Sequence, residues 1–507
     1  MKTGVSVQAL AGCAATGLVA VSASGQTVTI DWLPTSTGLW SNPLNWSGGN
    51  VPGALGQSAR LSPAAESGGD TTPAALVDWN FVVDELTGSG AIVVAVQPGS
   101  VLSVGELIAG EGDGILTVQV GDDSASAAQA RLIGLGLGGR RGDTTEIALT
   151  IIELLGSNAV LESLDRISIE QDSVVTGTGR LTGEIVNDGL IEARDGDVLT
   201  LADADVLNLG NIFVDRDSEL RFLNTVIEAG AIESNRGMVS FEATTVRNVS
   251  LKGVRDEFVV GAGTTFDDVF SDNGVDVIVH EDLPYIASDG IFLNEGNFVI
   301  EAGATVDVIG LGDALLVEAG RVTFNRDGFS VGTFRVAEDE ELYVLPGATF
   351  RGPGVIDGDV FNLGSIAAEG IGGPVGPAQL EIRGDLTMLS VGTLAATVIE
   401  WITAPGQPFS RSTLVTGGDV RLAGELVVEY DTFTNGLDAF VGVPFTVLEL
   451  ADASSGHTIT GTFDSVRLSL NPVGTSPIPQ IDYGPASVEV TIFCLADVNR
   501  DGVVAAN

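Results

Sequence analysis

Short apolar runs rich in β-branched residues fill nearly the whole chain, and turn residues break them every few positions. Ala91-Ile92-Val93-Val94-Ala95-Val96, Val299-Ile300 and Leu342-Tyr343-Val344 are examples. Runs of this length between Gly, Asn and Asp read as strands. Helical periodicity is nearly absent, and the 67 glycines are spread where they would break helices. The pattern predicts an all-β chain.

Self-comparison sharpens the expectation. Gly177-x-Gly179 leads to Gly183, Asn187 and Gly189, and Gly352-x-Gly354 leads to Gly358, Asn362 and Gly364 with the same spacing. Asn-x-Gly recurs at Asn208-Leu209-Gly210 and Asn294-Glu295-Gly296. A second unit is Gly, a small residue, then a strand: Pro98-Gly99-Ser100, Ala262-Gly263-Thr264, Ala302-Gly303-Ala304 and Pro346-Gly347-Ala348. Asn and Gly accept left-handed backbone at a corner, and an alternating strand sends one side chain inward and the next outward. Repetition at about 20 residues suits the coil of a solenoid, in which each rung buries its face on its neighbours. The expected fold is a long right-handed parallel β-helix with a C-terminal β-rich capping region; serial β-sandwiches are the alternative. Roughly 15 to 18 rungs at ~4.8 Å would make a rod of roughly 70–90 Å. Expected boundaries are a signal peptide over 1–25, a Trp-containing start over 26–90, the repeat array over 91–400, a β-rich region over 401–493 and a calcium-type loop over 494–507. Stacked Asn187, Asn208, Asn294 and Asn362 are expected to form an amide ladder.

Charge narrows the partners. The 507 residues carry 23 Lys+Arg against 68 Asp+Glu, a net charge of −45. Such a chain lacks the basic face that displaces counterions from nucleic acid, and it would be repelled by anionic lipid. Hydrophobics at 44% separate it from disordered acidic chains. Met1-Lys2 followed by the apolar run Val5 to Ala23 and Val21-Ser22-Ala23 reads as a secretory signal peptide. Leu10-Ala11-Gly12-Cys13 also matches a lipobox, which would anchor the protein through Cys13. No other stretch approaches the ~18 apolar residues of a membrane span. Lys2 and Lys252 are the only lysines, and an acidic, lysine-poor surface suits a salty extracellular setting.

Both ends carry resemblances. Trp32, Gly38-Leu39-Trp40-Ser41, Leu44-Asn45-Trp46-Ser47-Gly48-Gly49 and Val51-Pro52 resemble the opening motif of secreted, autotransporter-like β-helix proteins. Leu414-Val415-Thr416-Gly417-Gly418-Asp419-Val420, Phe445-Thr446-Val447-Leu448 and Asp482-Tyr483-Gly484 resemble that family's late strands. The resemblance implies a passenger-like surface or adhesin rod. Trp40 and Trp46 would then either stack on sugar rings or cap the open core. Cys494-Leu495-Ala496-Asp497-Val498-Asn499-Arg500-Asp501-Gly502-Val503-Val504 resembles the start of a type I dockerin repeat. Asp497, Asn499 and Asp501 would occupy positions 1, 3 and 5 of a calcium loop, with Gly502 at the turn and the Val503 carbonyl at position 7. The closing carboxylate would fall one position past Asn507. The resemblance implies calcium binding and a cohesin partner, and through it docking on a polysaccharide-degrading scaffold.

No sequence motif names a reaction. His280 and His457 lie outside any catalytic pattern, and Arg140-Arg141 is the only adjacent basic pair. The doublets Asp122-Asp123 and Asp267-Asp268 place strand neighbours on opposite faces, which is wrong for a pair of catalytic carboxylates. Arg141-Gly142-Asp143 and Arg383-Gly384-Asp385 read as turns rather than as integrin motifs. The expected function is a non-catalytic secreted structural or adhesive rod; the alternative is a polysaccharide-binding or polysaccharide-degrading component. Mass spectrometry of the exported protein is expected to find an unmodified N-terminus near Ser24 or Gln26. A lipidated first residue at Cys13 would point instead to membrane anchoring.

Overall fold

The computed structural model describes residues between Val28 and Cys494, apart from 62–73, 110–114, 122–129, 140–148, 369–377, 401–409, 433–443, 470–476 and interruptions of one to three residues. The chain is a parallel β-helix. One coil shows the plan: Asn211–Val214 lies on face one, Glu219–Leu223 on face two and Val226–Glu228 on face three. Ala231–Ser234 then returns to face one, in register on Asn211–Val214. Face three is an unbroken parallel run of eighteen strands from Val28–Asp31 to Phe445–Leu450. At ~4.8 Å per strand it is about 80 Å long. Face one is assigned as an eleven-stranded sheet followed by a seven-stranded one. The run ends where Ser487–Cys494 pairs antiparallel with both Phe445–Leu450 and Pro477–Tyr483.

Alternation builds the core. On face two Leu220, Val239, Phe258 and Val277 point inward in register, and between them along each strand stand polar or half-exposed residues. Near the middle of the rod the interior becomes aromatic. Phe222 stacks on Phe241 at 5.3 Å, Phe241 meets Phe266 edge-on at 5.8 Å, and Tyr285, Phe292, Phe334 and Phe350 continue the line.

Corners are made with left-handed residues and buried small ones. Gly99, Gly263, Gly303 and Gly347 all have positive φ, and the next residues, Ser100, Thr264, Ala304 and Ala348, are buried. The short rungs use non-glycine residues in the same way: Asp203, Asn224 and Ala243 form a column of left-handed residues between faces two and three. Thr225 and Thr244 follow that column, and their hydroxyls donate to Leu201 O and Phe222 O of the rung before, each at 3.1 Å.

The repeated sequence motif marks corners, not rungs. Gly177 lies between faces one and two, and Asn187 between faces three and one. In the second copy Gly352 lies between faces two and three, and Asn362 between faces one and two. The motif has moved round the coil by one face, so the expected four-residue amide ladder does not form. Asn187 and Asn208 do stack: Asn187 Nδ2 donates to Asn208 Oδ1 at 2.8 Å, and Asn208 Nδ2 donates to Ala231 O at 3.0 Å. Asn362 sits apart, donating to Thr393 O at 3.0 Å, and Asn294 lies outside the described residues.

Two glycines separate backbone strain from collision. Gly196 has φ +87° and open space where a Cβ would stand, so Gly196→Ala should cost about 1 kcal/mol of conformational strain. Gly177 has φ +105° and its Cβ would strike Leu154 O, so Gly177→Ala should cost about 3 kcal/mol or more. Urea midpoints of the two variants check the difference.

Candidate functional site

Three tryptophans close the first end. Trp40 and Trp46 are 0% and 1% exposed, and Trp32 is buried beside them. Trp46 packs edge-on against both Trp32 and Trp40, with ring centroids 4.7 Å apart in each case. Trp46 Nε1 donates to Trp40 O at 2.7 Å, and Trp40 Nε1 donates to Pro52 O at 3.0 Å. Trp40 lies 5.9 Å from Phe81, on the first strand of face two. Before that strand, the Trp segment fills the place where the core would meet water. With both rings enclosed, neither Trp40 nor Trp46 offers a face to a sugar; the capping alternative describes their position.

The calcium-type loop, Asp497, Asn499, Asp501 and Val503, lies outside the described residues, as do Cys13, Asp122-Asp123, Arg140-Arg141 and Arg141-Gly142-Asp143. Among the described residues no group of three or more His, Cys, Asp or Glu is arranged to hold a metal. No described helix is long and apolar enough to cross a membrane. The Asp267-Asp268 doublet is divided: Asp267 pairs with Arg247 at 3.5 Å, while Asp268 Oδ1 accepts Ser288 N–H at 2.7 Å.

Carboxylates recur as corner caps. Between faces three and one, Asp359 Oδ1 accepts Asp385 N–H at 2.8 Å, Asp385 Oδ1 accepts Asp419 N–H at 2.7 Å, and Asp419 Oδ1 accepts Thr458 N–H at 2.7 Å. Asp385 is the acid of Arg383-Gly384-Asp385, so the tripeptide is a corner of the coil with its carboxylate holding the next rung. His457 Nδ1 stands 3.6 Å from Asp419 at the end of this column. His280 is exposed, and its N–H donates to Val260 O. On face three the charges alternate outward: Arg335 bridges Asp307 at 2.9 Å and Asp357 at 3.3 Å, and Arg383 approaches Asp357 at 3.6 Å. The hydrogen bond to Asp357 and the charge of Asp307 raise the Arg335 pKa above its ordinary value.

A cleft runs along the corner between faces one and two. One part, about 430 Å³, is lined by residues including Asp217, Glu219, Arg236, Met238 and Glu257. A second, about 440 Å³, is lined by residues including Asp276, Glu295, Asn297, Arg321 and Thr349. They belong to one line. Val198 stands in register with Glu219, Glu219 with Met238, Met238 with Glu257, Glu257 with Asp276, Asp276 with Asn297, Asn297 with Arg321, and Arg321 with Thr349. The two parts therefore meet at Glu257 and Asp276, and the seven steps from Val198 to Thr349 span about 34 Å.

The line is held from beneath. Buried Asp256 accepts the Ser234 hydroxyl at 3.0 Å and the Arg236 N–H, fixing Arg236 at φ +64° on the cleft rim. Glu219 is held by Arg221 through two contacts of 2.6 and 2.7 Å. Asn297 Oδ1 accepts the Thr323 hydroxyl at 2.8 Å. By contrast, Glu257 and Asp276 have no hydrogen-bond or ion-pair partner among the described residues, although like charges opposite each other on neighbouring strands repel. Sequence reading looked for adjacent acids and passed over this pair. Its signal is a separation of one short rung: Glu219, Met238, Glu257 and Asp276 follow one another at intervals of 19 residues.

No family model matches the chain, and no curated protein matches it either.

Replacing Trp46 tests the cap. Trp46→Ala should cost about 3–5 kcal/mol, and Trp46→Phe, which keeps the apolar ring but loses the bond to Trp40 O, about 1–2 kcal/mol. In hydrogen exchange the loss of protection should begin at the Val28–Leu61 strands, because a solenoid coil contacts only its neighbours.

Proposed function

We propose that the protein is a non-catalytic secreted structural or adhesive rod, carrying a hydrated acidic surface. The supporting observation is the unbroken eighteen-strand face, which gives a stiff body about 80 Å long. The net charge of −45 favours solubility and mutual repulsion between copies. In this reading the first residues direct export, the opening and closing motifs belong to a passenger-like surface protein, and the Asp497–Val503 loop takes up calcium and presents a dockerin-like end to a cohesin. A glycan-binding component is the second reading, and the continuous cleft between faces one and two favours it.

Two measurements on the purified full chain test the first reading. Small-angle X-ray scattering should give a rod of about 80 Å or longer, unchanged between dilute and molar salt, because the body is held by apolar packing rather than by exposed ion pairs. Incubation with soluble plant and algal glycans should leave their chain length unchanged by size-exclusion chromatography. Shortened glycans would replace the non-catalytic rod with an enzyme.

A further inference from the structure

We infer that the cleft between faces one and two binds a single linear, uncharged polysaccharide along the rod axis, with Glu257 and Asp276 at the centre of the site. The inference rests on the second reading above and adds to it a site, an orientation and a ligand class.

Shape sets the first requirement. The two parts of the cleft share one register line, and each rung places one outward side chain on it at ~4.8 Å intervals. An occupant must be long, narrow and repetitive at nearly that interval. A pyranose chain, with a repeat of about 5 Å, meets this requirement against the ~4.8 Å strand spacing. A peptide docking by strand addition needs a free sheet edge. Here the face-two strands along the cleft are paired on both sides, as Met238–Glu242 is with Glu219–Leu223 and Asp256–Val260.

Chemistry sets the second. Glu257 and Asp276 present acceptors with no protein donor among the described residues, and hydroxyl donors to a carboxylate make strong charge-assisted bonds. Met238, between Glu219 and Glu257, is 39% exposed and gives an apolar surface for the C–H face of a ring. The cleft carries Asp217, Glu219, Glu257, Asp276 and Glu295 against Arg236 and Arg321, so polyanions are repelled. A neutral polyhydroxylated chain satisfies the acceptors without that penalty.

The experiment is affinity electrophoresis of the full chain through gels containing xyloglucan, mixed-linkage β-glucan, galactomannan or, as the anionic comparison, alginate. Retardation by at least one neutral glycan and none by alginate is expected. Glu257→Trp and Asp276→Arg should each weaken that retardation at least tenfold. Glu228→Trp, on the exposed side of face three, should leave it unchanged, with melting curves confirming that all three variants fold. No retardation by any neutral glycan overturns both this site and the glycan reading. Retardation that both cleft variants leave intact overturns the site alone. Equal retardation by alginate overturns the ligand class.

Discussion

Every rung must place its backbone amides against acceptors on its neighbour, including at the corners where no strand supplies them. This constraint organises the rest of the molecule. Along the flat faces the parallel ladders meet it automatically. At the corners, carbonyls and side chains of the adjacent rung take over, as Asn187 O accepts both Leu209 N–H and Gly210 N–H. The carboxylates of Asp359, Asp385 and Asp419 do the same for the corner between faces three and one. An unsatisfied buried amide costs about 1–3 kcal/mol, and the coil repeats each corner many times. Part of the acidic composition is therefore structural: short acids are good acceptors for corner N–H groups.

This explains what the sequence made legible. Strand alternation, the absence of helix and a period near 20 residues pointed to the solenoid, because inward and outward positions differ in kind. The corner units were equally visible, since a left-handed residue followed by a buried small one admits few side chains. Which corner each unit occupied was not visible. The coil has three corners of similar chemistry, and Gly177-x-Gly179 and Gly352-x-Gly354 serve different ones. An offset of one motif copy onto another is therefore not a whole number of rungs, and the amide ladder inferred from it fails at Asn362. The Trp segment shows another limit. An aromatic cluster reads alike whether it faces a sugar or a core, and only enclosure by Pro52 and Phe81 separates the two.

The axial cleft was hidden for a related reason. Its residues share no motif, because each rung contributes one outward position and outward positions are weakly constrained by packing. Register makes the line: a 19-residue rung carries Glu257 onto Asp276, and a 21-residue rung carries Asp276 onto Asn297. Elsewhere on the surface, opposite charges alternate in register, as in Asp307, Arg335 and Asp357. Two unpaired acids face to face depart from that habit at the point where the two parts of the cleft join.

Rung length gives the cleft its rigidity. From Glu219 to Asp276 the rungs advance by 19 residues, whereas Glu425 and Ser465, also in register on face two, are 40 apart. The extra chain enters at one corner. The segments 369–377, 401–409, 433–443 and 470–476 all join face two to face three. From Val198 to Thr349 the corner between faces one and two keeps short connections, such as Asn235 to Gly237 between Ser234 and Met238. Side chains on strands joined by such connections are held more closely than side chains on long loops. A ligand that must match a fixed ~4.8 Å interval over several rungs needs that precision, and in this region the fold keeps its long insertions off the corner that holds the cleft.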